Sequence, residues 1–185
     1  MYAGIDFSLN CPCIAVSDIN IINFEDCQFY YSTINKKFQY DVENIHGTVQ
    51  LGYCSEEERF LNLTEWAIKT IGDSRNIGLE GYAYAAKGRV FSIAEATGLL
   101  KNALWLNEIE TDIITPTEVK KFATGKGNAS KELMEEVFTK ETGVDLRTLL
   151  RQTKKQNSPS GDIIDSYYIL KCLVNRMHMI KGEKK

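Results

Sequence analysis

Four carboxylates stand where the packing of a fold would not by itself put them. Asp6 closes the run Met1-Tyr2-Ala3-Gly4-Ile5, which has the character of a buried strand, and Glu80 closes a second one, Asn76-Ile77-Gly78-Leu79. Asp162 and Asp165 open the segment GDIIDSYYIL, and their i, i+3 spacing puts both on one helical face. Singly, each has an ordinary explanation. Asp6 suits a strand-end turn, Glu80 a solvated edge and Asp165 plain surface, while Asp162 suits a helix N-terminus, where the macrodipole favours an anion. Together they share another: if the two strands are neighbours, their ends meet, and the first turn of the last helix lies over them. Such a cluster, left unpaired, costs several kcal/mol or forces protonation. A divalent cation removes that cost, and an all-carboxylate donor set suits Mg²⁺ or Mn²⁺ rather than zinc. Two such ions about 3.5–4 Å apart clamp the attacking water and the leaving oxygen of a phosphodiester.

The elements that must position these acids follow from periodicity. Residues 1–8, 13–17, 27–33, 76–80 and 112–114 have strand character, with a further strand around Gly47–Tyr53. Ser55-Glu56-Glu57-Glu58 is a capping box, after which Phe60, Leu63, Ala67 and Ile71 recur at helical spacing. Further helices are expected over about 88–107, from Thr115-Pro116-Thr117-Glu118 (a second capping box, with Pro at its first helical position), over about 129–141, and from about residue 160 to 180. A strand meander followed by alternating strands and helices implies an α/β fold, a mixed sheet with helices on its faces. At 185 residues one domain, 1–185, is expected.

Composition narrows the function. The net charge is −3, yet residues 120–155 hold nine Lys/Arg against five acids, a net of +4 on an otherwise acidic body. That suits either a phosphate-binding face or a solvated helical surface. Cys11, Cys13, Cys27, Cys54 and Cys172 include no Cys-x-x-Cys pair, and His46 and His178 are the only imidazoles, so free thiols in a reducing cytoplasm are expected rather than zinc. No apolar run is long enough for a membrane span and no secretion signal opens the chain.

GIDFSLN, LEGYAYAAKGRVFSIAEATGLL, TPTEVKKFATGKGNASKE and GDIIDSYYIL, in that order, resemble the RuvC-type Holliday junction resolvases, with the third segment the most specific. The resemblance covers most of the chain outside residues 20–55. It implies an RNase H-like five-stranded mixed sheet flanked by helices, in a crossover junction endodeoxyribonuclease. In such an enzyme Asp6, Glu80, Asp162 and Asp165 ligate two Mg²⁺ (or Mn²⁺), and Lys120 and Lys131 fall on the two family lysines, one of which would contact the scissile phosphate. It implies a base-stacking aromatic after Glu80, for which Tyr84 is preferred over Tyr82, and DNA contacts from Lys87, Arg89, Lys121, Lys126, Lys154 and Lys155. It also implies a homodimer formed through the helix from Gly88 to Asn107, acting on four-way junctions in the cytoplasm, that of a bacterial host if a phage carries it.

The region 20–55 is built differently from the family pattern, and NCPCIAV replaces its Thr-Gly after the first strand. Those departures leave open an RNase H or packaging-type nuclease and a non-catalytic junction binder. An actin-like ATPase is discounted: the chain is short for two such domains, and TGKGNAS is not a Walker A loop.

Overall fold

The computed structural model describes residues 1–82 and 90–182. Its strands are β1 (Tyr2–Asp6), β2 (Cys13–Ser17), β3 (Gln28–Thr33), β4 (Asp41–Val42), β5 (Ile45–Val49), β6 (Asn76–Glu80) and β7 (Glu110–Ile114). Its helices are α1 (Glu56–Ile71), α2 (Val90–Leu106), α3 (Pro116–Thr124), α4 (Lys131–Thr142), α5 (Leu146–Leu149) and α6 (Ser160–Gly182).

One sheet runs in the order β4-β5-β3-β2-β1-β6-β7. β2 is antiparallel to both β1 and β3, whereas β1, β6 and β7 are mutually parallel and β5 is parallel to β3. The strands β1, β3, β5, β6 and β7 therefore all end on one rim, and that rim carries Asp6 and Glu80. Helices cover both faces. α3, α4 and α6 pack a core with Phe29, Tyr31, Ile114, Phe138 and Tyr167. α1 and α2 pack the other, with Ile5, Ile14, Leu63, Ile77 and Leu100.

The RNase H-like arrangement is present with seven strands among the described residues, two more than the five expected. The strand placed around Gly47–Tyr53 lies at Ile45–Val49, preceded by the two-residue β4. Tyr31 explains both. Its hydroxyl donates to the Phe38 carbonyl at 2.6 Å and accepts from the Tyr40 amide at 3.1 Å, so the β3–β4 connection is tied back to β3. Its ring lies where a Cβ on residue 47 would stand, 2.8 Å from the ring's Cε2, so only glycine lets β5 pass beside β3 there.

The caps form largely as their sequences imply. Thr115 and Glu118 make the full reciprocal box, with Pro116 at N1. At α1, Ser55 accepts from the Glu58 amide at 3.2 Å, but the Glu58 carboxylate reaches the Cys54 amide rather than that of Ser55. The stretch 144–161 contains α5, and it is held by Arg147, which binds Glu135 on α4 at 2.5 Å and the carbonyls of Thr153 and Gln156.

Candidate active site

Strand parity places the acids. In β1, Ala3 and Ile5 point into the α1/α2 core, so Gly4 and Asp6 face α6. In β6, Ile77 and Leu79 likewise leave Gly78 and Glu80 facing α6. β1 and β6 are hydrogen-bonded neighbours with Ile5 opposite Leu79, which brings Asp6 and Glu80 side by side.

The third contributor needs close approach. A Cβ on Gly4 would lie 2.5 Å from the Ser166 carbonyl oxygen and 2.8 Å from the Leu170 Cα. A Cβ on Gly78 would lie 3.1 Å from the Ile169 Cγ2. α6 thus rests directly on the glycines of two neighbouring strands. Its first turns carry Asp162 and Asp165 to the rim where those strands end.

The four carboxyls act on one another. Burial, then repulsion from Glu80, Asp162 and Asp165, holds Asp6 well above the usual carboxylate range. Burial and Asp165 push Glu80 up to about 7, with the neighbouring Asp6 carboxyl, Lys131 and Lys120 pulling the other way. Burial raises Asp162 to about 6, with Ser158 and Cys11 pulling down, and burial also raises Asp165. One Asp162 oxygen, Oδ2, is buried with no donor. The Cys11 and Cys13 thiols beside this cluster are driven far up by burial.

Two lysines offset this charge. Lys131, the first residue of α4, lowers all four carboxyls, and Lys120 on α3 lowers Glu80 and Asp165. Lys121, Lys126, Lys154 and Lys155 are exposed, the last two in the turn before α6. Tyr82 sits at the mouth of a hollow of about 150 Å³ lined by Asp6, Ser8, Glu80, Ile93 and Thr97. Lys101 lies over its ring at 4.6 Å. Tyr84, Lys87 and Arg89 lie outside the described residues. Another hollow, about 830 Å³ along α2 and the β7 edge, is lined by none of these acids.

The donor set fits hard divalent cations. It is entirely carboxylate, it carries an orphaned buried oxygen, and its mutual repulsion is only partly offset by Lys120 and Lys131. As the side chains stand, no group of three or more His, Cys, Asp or Glu among the described residues is arranged to hold a metal ion. Burial and mutual repulsion favour protonated carboxyls in this arrangement, and ligation requires them to move.

A stability signature follows. The folded chain holds the cluster's protons more tightly than the unfolded chain, so stability is full at low pH and falls as pH rises through about 4.5–7 for Glu80. Hydrogen bonds that lower Glu118, Glu141 and Asp145 act in the opposite sense, below the ordinary carboxylate range. In EDTA, the melting temperature should therefore decline from pH 5 to pH 7.5. MgCl₂ or MnCl₂ should restore more at pH 7.5 than at pH 5, by calorimetry. A rising EDTA curve would contradict the cluster.

Missed in the sequence were Gly4 and Gly78, although the repeated spacing Gly-Ile-Asp and Gly-Leu-Glu was the signal that marks them. Cys11 and Ser158, the neighbours of Asp162, gave no such signal.

No protein-family model matches the chain, and no curated protein matches it. Among solved structures, the chain is similar to Thermus thermophilus RuvC, with a TM-score of 0.58 and 17% identity over 98% of this chain and 96% of that one. It is also similar to T. thermophilus RuvC in complex with a Holliday junction substrate, with a TM-score of 0.62 and 15% identity over 96% of this chain and 95% of that one.

Proposed function

We propose that this chain, which has the RuvC-type fold, is a metal-dependent endodeoxyribonuclease selective for four-way junctions and related branched DNA. The supporting observation is the meeting of Asp6, Glu80, Asp162 and Asp165 beneath Lys120 and Lys131, at the rim of a fold that is seen elsewhere with a Holliday junction bound.

Asp6, Glu80, Asp162 and Asp165 would hold two Mg²⁺ or Mn²⁺ ions. When bound, such ions lower the pKa of coordinated water and neutralise charge on the phosphodiester. The chain's own work is positioning. Asp6 and Glu80, held toward their protonated forms by burial, would give up their protons as the ions bind, freeing both carboxylates as acceptors. Lys131, exposed at the head of α4, binds a non-bridging phosphate oxygen and offsets the charge that grows on it, with Lys120 beside it. Lys121, Lys126, Lys154 and Lys155 hold the DNA backbone, contacts that orient without choosing sequence. Tyr82 offers a ring for stacking at the mouth of the site.

A second copy of the chain would cover α2. Phe91 is 85% exposed and Trp105 74% exposed, and with Leu99 and Leu106 they form one apolar stripe along the helix. A twofold dimer through that stripe places two sites on symmetry-related strands, as paired cuts require. No helix among the described residues is long and apolar enough to cross a membrane, and all five cysteines are free, which suits work in the cytoplasm, in DNA recombination and repair.

The deciding assay offers a four-way junction, a linear duplex of matching sequence and an RNA–DNA hybrid under one condition, with Mg²⁺ or Mn²⁺. Paired nicks in the junction are expected, and preferential cutting of the hybrid would overturn the reading. Lys131→Ala should lower the single-turnover rate by about 10²-fold, as loss of one preorganised electrostatic donor does, with Lys131→Arg recovering part of it.

A further inference from the structure

The rim that carries Asp6 and Glu80 continues past β3 and β5 to a second polar pocket. It measures about 460 Å³ and is lined by Asn10, Ile34, Gln50, Leu51, Tyr53 and Arg59. That size falls within the range of small-ligand sites, about 300–1,000 Å³. Ile34 follows the last residue of β3 and Gln50 the last of β5, so the pocket opens at the same end of the sheet as the carboxylates.

Its floor is built from buried hydrogen-bonding groups that are only partly used. Arg59 is 3% exposed; its Nη2 donates to the Leu9 carbonyl at 2.9 Å and to Asn10 Oδ1 at 3.1 Å, and its Nε–H has no acceptor. Gln50 Nε2 donates to the carbonyls of Leu9 and Ser32 at 3.0 and 3.1 Å, which fixes the amide orientation and leaves Oε1 without a donor. An unpaired donor and an unpaired acceptor, both enclosed, thus belong to two residues that line one pocket. The Arg59 guanidinium lies 5.1 Å from the centre of the Tyr53 ring, and Tyr53 remains 43% exposed, beside Leu51 at 70%.

These features select the occupant. Glu56 stands 3.6 Å from Arg59, and Glu57 and Glu58 share its helical turn, so the pocket's charge is balanced and a phosphate gains little there. A flat, neutral group that shows a donor and an acceptor on one edge fits, with its face against Tyr53. Cations for flanking phosphates are at hand: Lys36 and Lys37 are exposed, two and three residues beyond Ile34.

We propose that this pocket receives one unpaired nucleobase of the DNA strand that runs along the rim from the carboxylates, stacked on Tyr53 and read at its edge by Gln50 and Arg59. This rests on the nuclease reading above. It gives residues 34–59 a role, and it makes unpaired bases at a branch point a determinant of binding.

The test is made in EDTA, where the intact chain binds without cutting. Branched DNA bearing 4-thiothymidine at successive positions beside the branch is photocrosslinked, and the adduct is mapped by mass spectrometry. One or two positions should crosslink to the peptide containing Tyr53. Tyr53→Ala should weaken binding of branched DNA about tenfold, the scale of one base–aromatic stack, leave an equal-length duplex unchanged, and be rescued by Tyr53→Phe. Normal cutting of branched DNA with unaltered binding by Tyr53→Ala, or equal weakening toward duplex, overturns the pocket alone. Failure of the intact chain to bind branched DNA at all overturns the nuclease reading and the pocket with it.

Discussion

Asp6→Asn should abolish junction cleavage while making the metal-free protein more stable. The two effects share one origin. Asp6 is buried, and its carboxyl is raised by that burial and by three neighbouring carboxyls. An amide has nearly the shape of the acid and no charge, so it relieves repulsion that the folded state otherwise bears at neutral pH. A gain on the order of 5 °C in melting temperature is expected at pH 8 in EDTA, shrinking toward pH 5, below the raised values of Glu80 and Asp162. The cost to activity is the loss of a ligand to ions that supply several kcal/mol of charge stabilisation, so at least about a thousandfold in rate. Added Mg²⁺ or Mn²⁺ should also stabilise the variant less than the unaltered chain. Calorimetry in EDTA and in metal, beside a single-turnover junction assay, reads all three. A variant that cuts at a normal rate, or that melts lower in EDTA at pH 8, would remove Asp6 from the site.

Gly4→Ala should be severely damaging for a single added methyl. The new Cβ would enter the backbone of α6, against the Ser166 carbonyl and the Leu170 backbone. Backbone cannot turn away as a side chain does, so the helix must lift from β1. Overpacking of a core costs about 1–3 kcal/mol, and a clash with fixed backbone belongs at or above the top of that range. α6 carries Asp162 and Asp165 toward Asp6 and Glu80, and displacement of catalytic groups by about 1 Å costs roughly 10²-fold in rate. Gly4→Ala should therefore lose both stability and cleavage, in contrast to Asp6→Asn, which gains one and loses the other. Gly98→Ala is the contrast: a Cβ there meets nothing within 4 Å, and alanine is favoured over glycine inside a helix by up to about 1 kcal/mol, so it should keep the fold and hold or raise the melting temperature. A Gly4→Ala protein that melts normally and cuts normally would show that α6 does not depend on that close approach.

Much of the site was legible because its signals are local. An acid that ends an apolar strand, Asp-x-x-Asp on one helical face and Thr-Pro-Thr-Glu before a helix are each set by neighbouring residues, and the parity of β1 and β6 follows from a two-residue period. Glu58 shows where such reading stops: Ser55-x-x-Glu predicts a reciprocal bond to Ser55, but the carboxylate takes the Cys54 amide. The additional strands were less legible, because residues 41–49 have little intrinsic pattern and are recruited to the sheet edge by Tyr31, which ties down their connection.

The amino-acid sequence by itself determined which side chains exist to do chemistry, on what kind of element each sits, and which face of that element it takes. Backbone geometry settles those matters over a few residues. Only the tertiary structure decided that Asp6, Glu80, Asp162 and Asp165 lie close enough to act on one another, that the charge of Lys131 acts on all four, and that Gln50, Tyr53 and Arg59 line one pocket on the same rim. Those facts depend on which strands pair and on how closely a helix can approach them. At Gly4 and Gly78 that approach is limited by the presence or absence of a single carbon atom.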